Sequence, residues 1–193
     1  MARHKEFDRS DVVTKAVDVF WSKGYEATSI QDLVDAMGIN RGSIYATFGD
    51  KAGLFEAALD HYLPATLAQT LIKAAQTGEP RQTLEAFFDA LVNQSAAPSG
   101  RRGCLITNTL NELCANNDKL AHLLGQRLRT FEDAFETLIR RGQETGAIAP
   151  WKEPRPLARS MIATVQGIQS VAKLAPGFET LRDIADVALA NLD

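Results

Sequence analysis

Apolar side chains recur along the chain with a period near 3.6 residues, while sustained two-residue alternation of β-branched residues is absent. The pattern predicts an all-α protein. Glycine and proline punctuate it at Gly24, Gly38, Gly49, Pro64, Gly78 to Pro80, Pro98 to Gly100, Gly146, Pro150, Pro154 and Pro176-Gly177, giving about nine helices. In the first, Asp8 is the N-cap, Asp11 a shortened capping-box acid, and Phe7 staples onto Val12. Val12, Val13, Ala16, Val19 and Phe20 form its apolar stripe, and Gly24 stops it. The second opens on Thr28-Ser29-Ile30-Gln31, a T-x-x-Q capping box, buries Ile30, Leu33, Val34 and Met37, and ends at Gly38. Asn40 then caps a third helix, Arg41 to Phe48. Two short helices joined by so tight a turn form a helix-turn-helix unit. Asp50 caps a fourth helix through Leu54, Phe55, Ala58, Leu59 and Tyr62, which continues past Pro64 as 65–77. The remaining helices are placed at 80–96, 101–117, 118–145, 155–174 and 178–192. The expected organisation is an N-terminal three-helix helix-turn-helix domain over residues 1–50 and a larger helical bundle over 51–193.

The third helix carries the most chemistry. Ile44 and Phe48, four apart, point inward, leaving Gly42 and Ala46 outside, flanked by Arg41, Ser43, Tyr45 and Thr47. A small, hydroxylic, singly cationic face fits deep in a DNA major groove. Arg41 has the paired donors for guanine O6/N7, and the Ala46 methyl matches a thymine methyl. Ser43, Tyr45 and Thr47, with Thr28 and Ser29 at a helix N-terminus, offer hydroxyls to phosphates. The same composition also describes a small surface helix with an ordinary polar face.

Charge neither helps nor excludes that reading. The formal net charge is −3, and residues 1–51 hold seven Lys/Arg against eight Asp/Glu, whereas a basic domain is the usual footprint of a nucleic-acid binder. Locally the balance differs: from Gly38 through Gly49 the only charge is Arg41, Lys51 follows, and Arg3 and Lys5 make a basic tip. No apolar run approaches the roughly 18 residues of a membrane span, and Met1 to Glu6 lacks a signal-peptide apolar core, so a cytoplasmic protein with no membrane partner is expected. The two cysteines, Cys104 and Cys114, and three scattered histidines make neither a disulfide framework nor a metal site. Ten residues along one helix separate the cysteines by about 15 Å, beyond bridging distance.

The stretch Thr28-Ser29-Ile30-Gln31-Asp32-Leu33 through Met37-Gly38-Ile39-Asn40-Arg41-Gly42-Ser43-Ile44-Tyr45-Ala46-Thr47-Phe48-Gly49-Asp50-Lys51-Ala52-Gly53-Leu54 resembles the DNA-binding signature of the TetR family of bacterial transcriptional regulators, as does the upstream Ala16, Phe20 and Gly24-Tyr25. The resemblance implies that Tyr45 and Lys51 anchor phosphates while Gln31, Arg41, Gly42 and Ala46 face bases. Thr47 departs from the family, which often has His or another aromatic there. Beyond residue 60 the likeness is architectural. It implies an inducer bound inside the middle helices and a homodimer formed by the last two, reading a palindromic double-stranded operator.

Two faces fit that dimer: Leu157, Met161, Val165 and Ile168, then Leu181, Ile184, Ala188 and Leu189. Core packing alone also wants one apolar face on each helix. Cys104 follows Arg101-Arg102-Gly103 at a helix start, where helix amides and guanidinium charges favour a thiolate. It reads either as a reactive sensor or as a buried gap-filler. Thr107, Asn108, Asn111, Phe131, Phe135 and Gln166 are candidate linings of a small-molecule site, and each equally suits core or surface. Arg101, Arg102, Arg127 and Arg129 either counter an anionic inducer or are simply solvated. No glycine-rich phosphate loop, metal-spaced set or Ser/His/Asp grouping points to an enzyme, and no cofactor is expected. The function expected is transcriptional regulation, most simply repression relieved by an inducer or by cysteine modification. Activation, or a helical ligand-binding or interaction module without DNA binding, stays open.

Overall fold

The computed structural model describes residues 7–113 and 117–193. Arg3, Lys5 and Cys114 lie outside these. Among the described residues the fold is all-α, with ten α-helices and no strand: α1 (Arg9–Lys23), α2 (Ile30–Met37), α3 (Arg41–Phe48), α4 (Lys51–Tyr62), α5 (Leu67–Ala74), α6 (Pro80–Ala96), α7 (Leu105–Leu113), α8 (Asp118–Thr145), α9 (Pro154–Val171) and α10 (Phe178–Ala190). The expected count was about nine. The difference is α5, which is not a continuation of α4: Leu63–Ala65 tightens into a 3-10 turn, and the Thr66 side chain, on extended backbone, accepts from Gln69 N and caps a new helix. The start expected at residue 101 moves to Leu105, because Pro98–Arg102 is a separate 3-10 turn ended by Gly103 at φ +67°.

Two apolar cores result. The first unites Val12, Ala16, Val17 and Phe20 of α1, Leu33 and Met37 of α2, Ile44 of α3, and Leu54, Phe55, Ala58 and Leu59 of α4. It is closed by Leu105 and Leu113 of α7 and by Leu120 and Leu124 of α8. A domain boundary at residue 50 therefore cuts α4 away from the core it completes. The second core is built by α5, α6, the C-terminal part of α8, α9 and α10. At its centre Phe87, Phe88, Phe131 and Phe135 meet edge-on or tilted, with ring centroids 4.9 to 6.4 Å apart. Arg155 pins α9 onto α8 by reaching Glu132, Asp133 and Glu136.

This second core takes up the side chains expected at the dimer face. Met161, Val165, Ile168, Leu181, Ala188 and Leu189 are all buried within the single chain, and Leu157 and Ile184 pack partly buried against them. Each helix has one strong apolar face, and burying it against its own bundle already removes that surface from water. On α10 and the turn before it, the large apolar residues left exposed are Leu174 (81% exposed), Val187 (66%) and Phe178 (47%).

Candidate nucleic-acid interface

The N-terminal unit is braced by short-range devices that fix the pose of α3. Asp8 caps α1 by accepting from Ser10 N and Asp11 N, while Asp11 pairs with Lys15 instead of closing a box. Ser29, not Thr28, caps α2: its hydroxyl accepts from Asp32 N, and the Asp32 carboxylate accepts from Ser29 N and Oγ. Lys23, at the end of α1, donates to Asp32 at 2.6 Å. That bond first, then the Ser29 donors, lowers the Asp32 pKa from 3.8 to about 2. Asn40 caps α3 through Ser43 N, and Asp50 caps α4 through Gly53 N. A Cβ on Gly53 would stand 2.1 Å from the Phe48 carbonyl oxygen, so only glycine lets α4 start this close under the end of α3.

On α3, Ile44 is buried and Phe48 half-buried, as the spacing predicted. Arg41, Gly42, Tyr45, Ala46 and Thr47 are exposed together, and Ser43 is half-buried beside them. Arg41 has no ion-pair partner among the described residues, and the helix has no acid. Such a face can enter a groove and donate to base edges without meeting its own carboxylates.

Three other predicted contacts already have partners within the chain. Thr28 is buried, and its hydroxyl donates to Gly24 O at 2.5 Å, so it closes the α1–α2 turn instead of facing a phosphate. Gln31 is exposed, but its amide donates to Asp35, which sets an acid beside any base it would read. The Lys51 ammonium donates to the carbonyls of Tyr25 (2.9 Å) and Thr28 (3.0 Å) and lies 4.3 Å over the Tyr25 ring. It is first a clamp between α4 and the turn; one of its three donors remains for a phosphate.

The candidate sensing residues do not gather in one place. Cys104 is half-buried beside a cavity of about 80 Å³ lined by Trp21, Tyr62, Ser95, Ser99 and Gln169. The Tyr62 phenol donates to its sulfur at 3.7 Å, and burial first, then the nearby Cys104, pushes the phenol pKa up, keeping it a donor. Thr107 donates to Gln169 at 3.1 Å, and Asn108 donates to Arg102 O and accepts from Lys173. Phe131 and Phe135 are in the aromatic core instead, Asn111 is exposed, and Gln166 is half-buried on α9. The Arg102 guanidinium is engaged with Asp18 at 3.1 Å and with the Trp21 face at 4.3 Å.

That last cluster joins the two halves of the molecule and was not singled out from the sequence. Trp21 donates to Arg102 O and meets Tyr62 edge-on at 5.0 Å, so α1, α4 and the segment before α7 share one joint. Arg127 of α8 adds a pair to Asp60 of α4. Partners some 80 residues apart leave no local spacing by which to find them.

A family model described as bacterial regulatory proteins, tetR family, matches residues 12–58, and one described as tetracyclin repressor-like, C-terminal domain, matches residues 78–186. The chain is 31% identical over its whole length, and the relative's, to the uncharacterized HTH-type transcriptional regulator YezE of Bacillus subtilis (strain 168). It is 31% identical to the HTH-type transcriptional repressor ComR of Escherichia coli (strain K12), covering 97% of this chain and 90% of that one. Among solved structures, a cysteine-substituted TetR-family regulator, CifR, in complex with 26-bp double-strand operator DNA, superposes with a TM-score of 0.81 at 29% identity over 100% of both chains.

Proposed function

The chain belongs to the TetR family of bacterial regulatory proteins, and on that premise we propose that it acts as a homodimeric repressor on a palindromic operator. It is a DNA-binding transcriptional regulator and not an enzyme. The observation that carries the finer reading is the α3 face. Arg41, Gly42, Tyr45, Ala46 and Thr47 are exposed side by side, free of acids, on a helix held by caps at both its neighbours. In this reading Arg41, Gly42 and Ala46 meet base edges, with Gln31 beside them, while Ser43, Tyr45, Thr47 and the third donor of Lys51 meet phosphates; Ser29, whose one hydroxyl proton goes to the Asp32 carboxylate, does not. No helix among the described residues is long and apolar enough to cross a membrane, and the place of action we propose is the cytoplasm, where the chromosome lies.

Release from DNA runs through the joint around Cys104. The cavity beside it is about 80 Å³, against roughly 300–1,000 Å³ for ordinary small-molecule pockets. It suits a few atoms added to the thiol better than a whole inducer. Added bulk there presses on Trp21 and Tyr62, hence on α1 and α4, and shifts the population away from the DNA-competent pose.

The test is a gel shift on DNA flanking the protein's own gene, with and without N-ethylmaleimide, in a Cys114→Ser background. A specific complex lost on alkylation, and retained when Cys104→Ser is added, is the expected result. Retention in both points to a reversible ligand, and no specific complex on that DNA removes the autoregulated-repressor reading.

A further inference from the structure

The last turn of α7 carries a carboxylate that is seated in the DNA-binding unit. Glu112 Oε2 accepts from Tyr25 N at 3.0 Å, and Oε1 accepts from Glu26 N at 2.8 Å. Gly24, immediately before them, has φ +81°, and a Cβ built there would stand 2.8 and 3.0 Å from the two carboxylate oxygens. Three successive residues thus make a berth for one carboxylate: a bare α-carbon and two successive amides. Successive backbone N–H groups of this kind are an anion-binding concavity.

The same turn is wired outward through its carbonyls. Gly24 O accepts from the Thr28 hydroxyl, and Tyr25 O accepts from Thr28 N and from the Lys51 ammonium, which also holds Thr28 O. The Tyr25 and Glu26 amides therefore face α7, while the carbonyls of Gly24 and Tyr25 face the starts of α2 and α4, the two helices that flank α3. Movement of the Glu112 carboxylate has a continuous hydrogen-bonded route to both supports of the recognition helix.

We infer that Glu112 is a positioning residue for operator binding, the latch by which α7 sets the pose of the helix-turn-helix. It rests on the operator-binding reading above but not on the role of Cys104. Whatever displaces α7 draws on the same carboxylate. Cys104 immediately precedes α7, so a nine-residue helix, roughly 13 Å long, carries the thiol at one end and the latch at the other.

The test uses the full-length protein with Glu112→Gln and Glu112→Ala, reading operator affinity, non-specific DNA affinity at the same salt, and hydrogen exchange at the Tyr25 and Glu26 amides. Glutamine keeps the shape but turns an NH₂ toward one of the two donors; alanine empties the berth. Both variants are expected to exchange those amides roughly tenfold faster and to bind operator roughly tenfold more weakly, within the usual range of coupling between sites, with non-specific binding unchanged. In Glu112→Ala, acetate at constant ionic strength is expected to recover part of the operator affinity, where chloride recovers none. Wild-type operator affinity in Glu112→Gln, or equal losses on operator and non-specific DNA, overturns the latch. Failure of the wild type to bind any operator overturns the reading of function instead, and the amide exchange still reports whether the carboxylate holds the turn. If Glu112→Ala does not fold, the glutamine variant carries the test.

Discussion

Arg41 and Lys51 are both cations at the N-terminal end of the molecule, yet their surroundings give them different work. Arg41 stands exposed on α3, so Arg41→Ala is expected to cost about 1–3 kcal/mol on the cognate operator and to relax specificity at one base pair per half-site. Binding measured across single-base operator variants checks this; equal losses on every sequence would make it a phosphate contact. Lys51 is different, because two carbonyls hold its ammonium. Lys51→Ala is expected to lower folding stability by about 1.5–3 kcal/mol in urea titrations, as well as weakening all DNA sequences alike. Caps were legible in the sequence because their partners are three residues away. Even there the α2 cap slipped by one, since Thr28 and Ser29 both carry a hydroxyl and only the fold decides which is buried. Lys51 and Glu112 were not legible in these roles: their partners are backbone atoms 23 to 87 residues distant.

Helices α1 to α4 followed their periodicity closely, because each has its own cap and stop. The errors came where the apolar period runs on across a breaker, as at Leu63–Ala65, which holds Pro64, before α5 and at Gly103 before α7. One consequence at this scale concerns the contact of α3 with α4. Gly53→Ala must push a methyl into the Phe48 carbonyl, so it is expected to cost about 1–3 kcal/mol in thermal unfolding and to abolish specific DNA binding by tilting α3. Acid offers a second check. The folded pKa of Asp32, about 2, lies below its ordinary value of 3.8, so its support of α2 is fully present above that value and is lost as pH falls through about 2. Asp32→Asn is therefore expected to be less stable than wild type at neutral pH and to converge with it below about pH 2, as followed by circular dichroism at low salt.

The assembly was the least legible part, because an apolar helix face looks the same whether it meets its own bundle or a second copy. Within the single chain Ile168 is buried in the second core, while Val187 stands exposed on α10. Val187→Glu is expected to leave the fold intact and give monomers in sedimentation, whereas Ile168→Glu, inside the second core, is expected to unfold the bundle. A dimeric Val187→Glu protein would move the interface elsewhere. The 28 residues of α8 run roughly 42 Å, with Leu120 and Leu124 in the first core and Phe131 through Ile139 in the second. Neither half closes without that shared rod. For the engineer this means that the DNA-reading part cannot be lifted out as a cassette at residue 58. A chimaera that transplants it onto another sensor must also carry α7 and the first two turns of α8, or its core arrives without a lid.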